Sequence, residues 1–335
     1  MAGEPLLEIT DLVRHYPAGK GLLGLGRSKG MVKAVDGVSF AIGTGETFGL
    51  VGESGCGKTT IAKLVLRIEA PTSGQILFDG RDVARLTGKD LLAYRRSVQA
   101  VFQDPFGSLS PRMRVADIVG EILEIHTSMT PAAIATRVGE VLELVGLRPD
   151  QARLFPHEFS GGQRQRIAIA RALAADARLL VLDEAVSALD VSIRAQVITL
   201  LEQLQADLGV SYLYIGHDLA TVSHLAHRVG VMYLGRLCEV GDSVTVSTDP
   251  RHPYTQALFA SALPYQPEDE GAGDEPVPVL GEVPSALNPP SGCRFHPRCP
   301  LAEARCSAEE PVLGPIDEAH AAACHLLPLT VGPRR

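Results

Sequence analysis

Apolar residues recur along the chain in three textures. Over residues 6–16 (LLEITDLVRHY) and 32–42 (VKAVDGVSFAI) they alternate with polar ones, the period of a half-buried strand. Thr47–Val51 and Leu179–Leu182 are short continuous apolar runs, which predict strands buried on both faces of a parallel sheet, and Val210–Ile215 reads as a further strand. Helical spacing marks Thr60–Arg67, a polar helix near 88–96, two segments between about 106 and 158 (VADIVGEILEIH and AAIATRVGEVLELVGL), RQRIAIARALAAD after Gln163, and SIRAQVITLLEQLQADLG after Val191. Pro131 opens the second of the 106–158 helices at a first-turn position that tolerates it. Turns separate these elements: a glycine-rich loop between the first two strands, Gly43–Glu46, PTSG at 71–74 before a strand Gln75–Phe78, and Asp79-Gly80 after it. Strands thus alternate with helices, and a block of helices interrupts them between the strand Ser97–Phe102 and the strand Leu179–Leu182.

Chemistry gathers at the ends of these strands. Gly52-Glu53-Ser54-Gly55-Cys56-Gly57-Lys58-Thr59 fits G-x-x-x-x-G-K-[ST] at every fixed position, with a strand before it and a helix beginning at Thr60. Its three glycines let backbone N–H groups turn toward phosphates, Lys58 brings a point charge, and Thr59 brings a hydroxyl for Mg²⁺. Asp183 and Glu184 close the apolar run 179–182; beside a phosphate loop they have matching chemistry, Asp183 for the Mg²⁺ shell and Glu184 for a water. His217 closes the strand 210–215, at the carboxyl end where ligands bind in open α/β sheets. Ser160-Gly161-Gly162-Gln163 opens a helix with a good N-cap and free amides, while Arg164, Arg166 and Arg171 on that helix read as a solvated face. Gln103, before a proline break, reads alone as a turn residue, and Tyr16 is equally an edge-strand tyrosine or a platform for an adenine ring.

The chain has 335 residues, 45% hydrophobic and 21% charged, with a formal net charge of -8. That balance argues against a sequence-independent grip on nucleic acid. The N-terminus lacks the basic and apolar segments of a signal peptide, and no run of about 18 apolar residues occurs, so a soluble cytoplasmic chain is expected. Cys56 and Cys238 are isolated, whereas Cys293, Cys299, Cys306 and Cys324 crowd the last part of the chain, a pattern that favours metal over disulfides in a reducing compartment. Their spacing, C-x5-C-x6-C-x17-C, is too wide for the paired cysteines of most zinc sites.

Together these residues resemble the ATP-binding cassette (ABC) ATPases over roughly residues 6–245. The resemblance implies an α/β fold: a P-loop nucleotide-binding domain with a mixed sheet core, an antiparallel β subdomain and a helical subdomain. It assigns ATP binding to Tyr16 and Gly52 through Thr60, with Cys56 inside the loop, and Mg²⁺ to Thr59, Gln103 and Asp183. Glu184 becomes the general base, His217 a γ-phosphate contact, Gln103 the coupling glutamine, and Ser160, Gly161, Gly162 and Gln163 the signature that closes on a partner's ATP. Asp190, in Ser187-Ala188-Leu189-Asp190, becomes the link between two sites of a head-to-tail dimer. Phe159 stands where the family usually has Leu.

Residues 249–255 (DPRHPYT) and the cysteine-bearing tail are similar to the ATPase subunits of oligopeptide and dipeptide ABC importers, and to the F-type partner of the usual pair, although Phe155 replaces a typical Tyr. That resemblance implies a cassette over 1–265, with its helical subdomain near 104–170, and an extension over 266–335. It implies a [4Fe–4S] cluster on Cys293, Cys299, Cys306 and Cys324; zinc, with His296 and His325 in reserve, is the alternative. It also implies two transmembrane permeases, a second ATPase subunit in a heterodimer, an extracytoplasmic binding protein acting indirectly, and a place on the cytoplasmic face of the inner membrane. A soluble ABC ATPase acting on ribosomes or nucleic acid is the rival, against which stand the single phosphate loop and the tail.

Overall fold

The two alternating stretches pair with one another. In the structure, a computed structural model that describes residues 4–18, 30–102, 107, 109–262 and 280–327, they are the antiparallel strands β1 (Leu7–Pro17) and β2 (Met31–Ile42), with Leu7 opposite Ile42 and Ile9 opposite Phe40. The chain continues through β3 (Thr47–Val51), β4 (Ser73–Phe78), β5 (Arg81–Asp82), β6 (Val98–Phe102), β7 (Leu179–Asp183), β8 (Ser211–Ile215), β9 (Arg228–Tyr233), β10 (Arg236–Asp242), β11 (Gly314–Pro315) and β12 (His320–Ala322). Among the described residues these form two sheets: an antiparallel one in the order β2-β1-β4-β5, and a mixed one in the order β11-β12-β10-β9-β3-β8-β7-β6. In the mixed sheet β3, β6, β7, β8 and β9 run parallel, and β10, β11 and β12 add an antiparallel edge.

Helix α1 (Lys58–Val65) follows β3, and α2 (Gly88–Ser97) leads into β6, on which it packs. The interruption between β6 and β7 holds α3 (Val115–His126), α4 (Pro131–Leu144) and α5 (Gly161–Leu173). Thr130 caps α4, its hydroxyl accepting from the Ala133 N–H at 3.3 Å, and Pro131 follows at the first helical position. Beyond β7 come α6 (Val191–Leu208), ended by Gly209 in the left-handed conformation, and the short α7 (Leu219–Leu225).

The continuous apolar runs are buried on both sides because each face of the mixed sheet has its own core. Leu180 and Leu182 point into the core shared with α3, α4 and α5; Leu179 and Val181 point into the one shared with the antiparallel sheet and α1. Truncating such a side chain to alanine costs about 2–5 kcal/mol. The apolar patterning does not announce β9, β10 and β12, yet they carry the sheet outward to the tail. Glu239, Val240 and Gly241 of β10 pair with Ala322, Ala321 and His320, so residues beyond 266 share the cassette's own sheet.

Candidate active site at the carboxyl ends of the parallel strands

The phosphate loop leaves β3 and enters α1 through a backbone that only glycine supplies at two points. Gly52 has φ of +145° and a side chain there would meet the Met232 carbonyl oxygen at 2.1 Å; Gly57 has φ of +112° and faces the Ala34 carbonyl oxygen at 2.1 Å. Lys58, 6% exposed, folds back over the loop, its Nζ donating to the carbonyls of Gly52 (2.7 Å) and Glu53 (3.1 Å). Gly235 donates its N–H to the Cys56 carbonyl at 2.8 Å, tying the loop to the turn between β9 and β10. The buried Cys56 thiol is pushed above its ordinary range by burial, against the pull of the Lys58 charge, so it stays a thiol.

Asp183 ends β7 directly beside this loop. Its side chain hydrogen-bonds Thr59, and burial raises its carboxyl above the usual carboxylate range, the Glu184 charge adding to the shift while Thr59 and Lys58 oppose it. Asp183 Oδ1 is buried without a hydrogen-bond partner among the described residues. An orphan carboxylate oxygen next to a threonine hydroxyl is a hard-oxygen pair suited to a divalent cation such as Mg²⁺, so these two residues fit the expected metal. The third expected ligand, Gln103, lies outside the described residues.

Glu184 and His217 face one another across the ends of β7 and β8, with His217 Nδ1 3.3 Å from Glu184 Oε1. Glu184 holds a positive φ of 50°, uncommon for a residue with a side chain, and its N–H donates to the Ile215 carbonyl at 2.8 Å. That bond locks the carboxylate onto the strand carrying the histidine. Two residues that the sequence does not point to hold the next layer. Arg194 of α6 pairs with Asp218 and donates to the Leu189 carbonyl at 3.2 Å. Asp218 in turn caps α7 by accepting from Thr221, and these bonds, with Arg194, outweigh burial and hold its carboxyl below the ordinary range. Arg194 therefore joins the Ser187–Asp190 loop to the His217 loop.

Ser160 caps α5, accepting from the Gln163 N–H at 3.3 Å while its own N–H donates to Gln163 Oε1 at 3.0 Å. Gly162 is needed for packing, because a side chain would come within 2.4 Å of Ile193 Cγ2. Phe159 is buried in the helical core, which explains how an aromatic replaces leucine there. The three arginines of α5 correct the expectation of a solvated face. Arg164 donates to the Pro156 carbonyl at 2.7 Å and Arg166 to the Val145 carbonyl at 2.8 Å, and burial lowers the Arg171 guanidinium from its ordinary value. Arg164 and Arg166 knit α5 to the loops before it, and Arg171 lies within reach of the Glu121 charge on α3.

Tyr16 donates its hydroxyl to Glu69, and the Arg14 guanidinium lies 4.6 Å from its ring centroid. Asp190 is exposed at the start of α6 and its carboxylate makes no capping bond there.

The four tail cysteines are neighbours: the Cys293 thiol is pushed up to about 11 by burial and, less strongly, by the other three thiols, although the Phe295 N–H opposes the shift. Cys299 and Cys324 likewise receive the N–H of the residue two further on, Leu301 and Leu326. Among the described residues, however, no three His, Cys, Asp or Glu side chains are grouped so as to hold a metal ion. The expected cluster, and zinc as its alternative, thus find no ready ligand set among the described residues.

Comparison with known proteins agrees with this geometry. The family model described as ABC transporter matches residues 35–187, and that described as oligopeptide/dipeptide transporter, C-terminal region, matches residues 238–306. The oligopeptide transport ATP-binding protein AppF of Bacillus subtilis (strain 168) is 47% identical over 324 residues, covering 96% of this chain and 98% of that protein. Among solved structures, cbiO1 from Clostridium perfringens, part of the ABC transporter complex cbiONQ, superposes with a TM-score of 0.64 at 27% identity, over 74% of this chain and 92% of that one. The ATP-binding cassette MJ0796, a dimer in a post-hydrolysis state, shares the fold at 24% identity with a TM-score of 0.60, over 71% of this chain and 98% of that one. A cassette core followed by that C-terminal region, at this identity over almost the whole length, makes the chain an ABC transporter family member of the oligopeptide/dipeptide ATP-binding branch.

Proposed function

We propose that this chain hydrolyses ATP to power a membrane importer of oligopeptides or dipeptides. One observation carries the reading: the phosphate loop, the Thr59–Asp183 pair and the Glu184–His217 pair converge at the carboxyl ends of three adjacent parallel strands. The loop amides and Lys58 hold the β- and γ-phosphates, and Thr59, Asp183 and Gln103 hold Mg²⁺, which when bound neutralises charge that develops on the phosphate oxygens. Glu184 takes a proton from the attacking water as its oxygen bonds to the γ-phosphorus and the bond to the ADP oxygen breaks. His217, beside Glu184, contacts the γ-phosphate.

The partner-facing residues support a head-to-tail dimer, in which Ser160, Gly161 and Gly162 close on the ATP of a second cassette and Asp190 links the two sites. A heterodimer with a second ATPase subunit is the form we favour. Ile68, Phe102 and Ile125 are exposed around a groove that Ile122, Arg95 and Arg171 also line, between β6 and the helical subdomain. A groove rimmed by large apolar residues suits a helix from one of the two permeases, the second permease docking on the second cassette. Among the described residues no helix is long and apolar enough to cross a membrane, in keeping with a subunit bound peripherally to the cytoplasmic face. For the tail we keep the [4Fe–4S] reading as a proposal; its support is the resemblance, the four neighbouring thiols and their N–H···S turns, and no step of hydrolysis runs through it.

The test is turnover by purified protein. Glu184→Gln should still bind ATP while hydrolysis falls by about 10²-fold or more. Normal turnover in that variant would sink the assignment.

A further inference from the structure

Glu53, the second residue of the phosphate loop, is gripped at both ends by residues from beyond the cassette's own motifs. Its N–H donates to the Tyr254 hydroxyl at 2.9 Å. Its carboxylate accepts two parallel bonds from Arg298, Nη1 to Oε2 at 2.8 Å and Nη2 to Oε1 at 3.0 Å. Tyr254 belongs to the segment DPRHPYT, and Arg298 stands immediately before Cys299.

Both grips are rigid. The Arg298 side chain is 9% exposed, its guanidinium lies over the Tyr233 and Phe295 rings at 5.7 and 5.9 Å, and Nη1 also donates to the Tyr233 hydroxyl at 3.3 Å. Burial disfavours its charge, but the bonds to Glu53 and Tyr233 outweigh burial and hold the guanidinium above its ordinary value. Tyr254 is set by a buried chain of bonds from the tail. Glu239 accepts from His320 at 2.6 Å and from the N–H groups of Arg251 and His252 at 2.7 and 2.8 Å; His252 Nδ1 then accepts from the Tyr254 N–H at 3.0 Å. Four residues before Arg298, the buried Arg294 pairs with Asp36 of β2 and donates to the Leu234 carbonyl. The turn carrying Cys293 and Cys299 is therefore bolted to the cassette at two carboxylates.

A carboxylate at the mouth of a phosphate loop is an obstacle. An unpaired charge there repels the triphosphate. We infer that Arg298 and Tyr254 are positioning residues of the ATP site: through Glu53 they cancel a charge and fix the entry to the phosphate loop, so the C-terminal extension is a working part of nucleotide binding. This rests on the reading of Gly52–Thr59 as the ATP site.

The experiment compares full-length wild type with Arg298→Gln, Glu53→Gln and the double variant, measuring the Kd and KM for ATP with Mg²⁺, kcat, and Tm. Arg298→Gln should raise Kd and KM about tenfold with kcat within about twofold, since the lost interaction acts before the chemical step. The double variant should return Kd to within about threefold of wild type, because the charge that Arg298 cancels is gone. Glu53→Gln alone, which removes a negative charge from the phosphate loop and leaves the Arg298 guanidinium beside it, should tighten ATP binding about threefold or more, and this arm stands even if Arg298→Gln does not fold. A double variant as weak as Arg298→Gln, Arg298→Gln binding like wild type, or no tightening in Glu53→Gln overturns the inference; a fall in Tm without a change in Kd does the same. Wild type that fails to bind ATP at all overturns the parent reading instead.

Discussion

The two halves of the site are built to different standards. The phosphate-loop half is closed within the chain: Lys58 is buried over its own loop carbonyls, Gly52 and Gly57 touch backbone, and Tyr254 and Arg298 hold Glu53 from the far end of the sequence. The other half faces outward. Ser160 and Asp190 are exposed at helix starts, and the His217 side chain, beside Glu184, is 57% exposed. Under the proposed reading, the finished half binds the nucleotide within one chain and a second cassette supplies the rest. On that reading, rigidity marks what must be ready before ATP arrives, and exposure marks what the proposed partner completes.

The largest effect that separates the halves comes from Lys58→Ala. It removes a buried charge from the phosphates and leaves the Gly52 and Glu53 carbonyls without that donor, so ATP affinity should fall by about 10²-fold or more. Titrating ATP against the monomer measures this; affinity within a few-fold of wild type would contradict the account of the finished half.

A smaller effect concerns Asp36, where the tail meets β2. Burial pulls its carboxyl up, but the hydrogen bond from His15 and the charges of Arg294 and Arg236 outweigh burial and lower it to about 2. The folded value lies below the unfolded one, so the stabilisation is complete above about pH 5 and is lost progressively as pH falls from about 5 toward 1. The shift is equivalent to about 2 kcal/mol at neutral pH. Asp36→Asn should lower Tm at pH 7 and flatten its acid limb in that window; an acid limb as steep as that of wild type would show that Arg294 gains nothing from this carboxylate.

The smallest falls on the open half. Ser160→Ala removes the cap of α5 and one reciprocal bond with Gln163, worth about 1 kcal/mol of stability, while monomer affinity for ATP should stay as it is. Calorimetry with and without ATP separates the two; weakened binding by the monomer would place Ser160 on its own chain's nucleotide.

Much of this was legible in the sequence, for local reasons. Gly52–Thr59 fixes a loop within eight consecutive residues, and the runs 47–51 and 179–182 declare buried strands by composition alone. What joins distant segments was not legible. Arg298 finds Glu53 across 245 positions, and β12 is three residues, too few to show a period, yet it extends the main sheet. Arg194 reads as a helix surface residue until Asp218 is seen beside it. The arginines of α5 misled because a charged helix face looks the same whether it meets water or the carbonyl ends of neighbouring loops. The tail cysteines are close together as their crowding implied, but spacing carries no information on whether four thiols share a centre.

The most direct test of the central claim is to recover tagged Glu184→Gln protein from detergent-solubilised native membranes with ATP and Mg²⁺, and to identify the co-purifying chains by mass. An importer subunit with one open half-site brings down a second cassette and two multi-span permeases, and loses the second cassette when ATP is withheld. Recovery with ribosomal or DNA-bound partners and no membrane protein would contradict it.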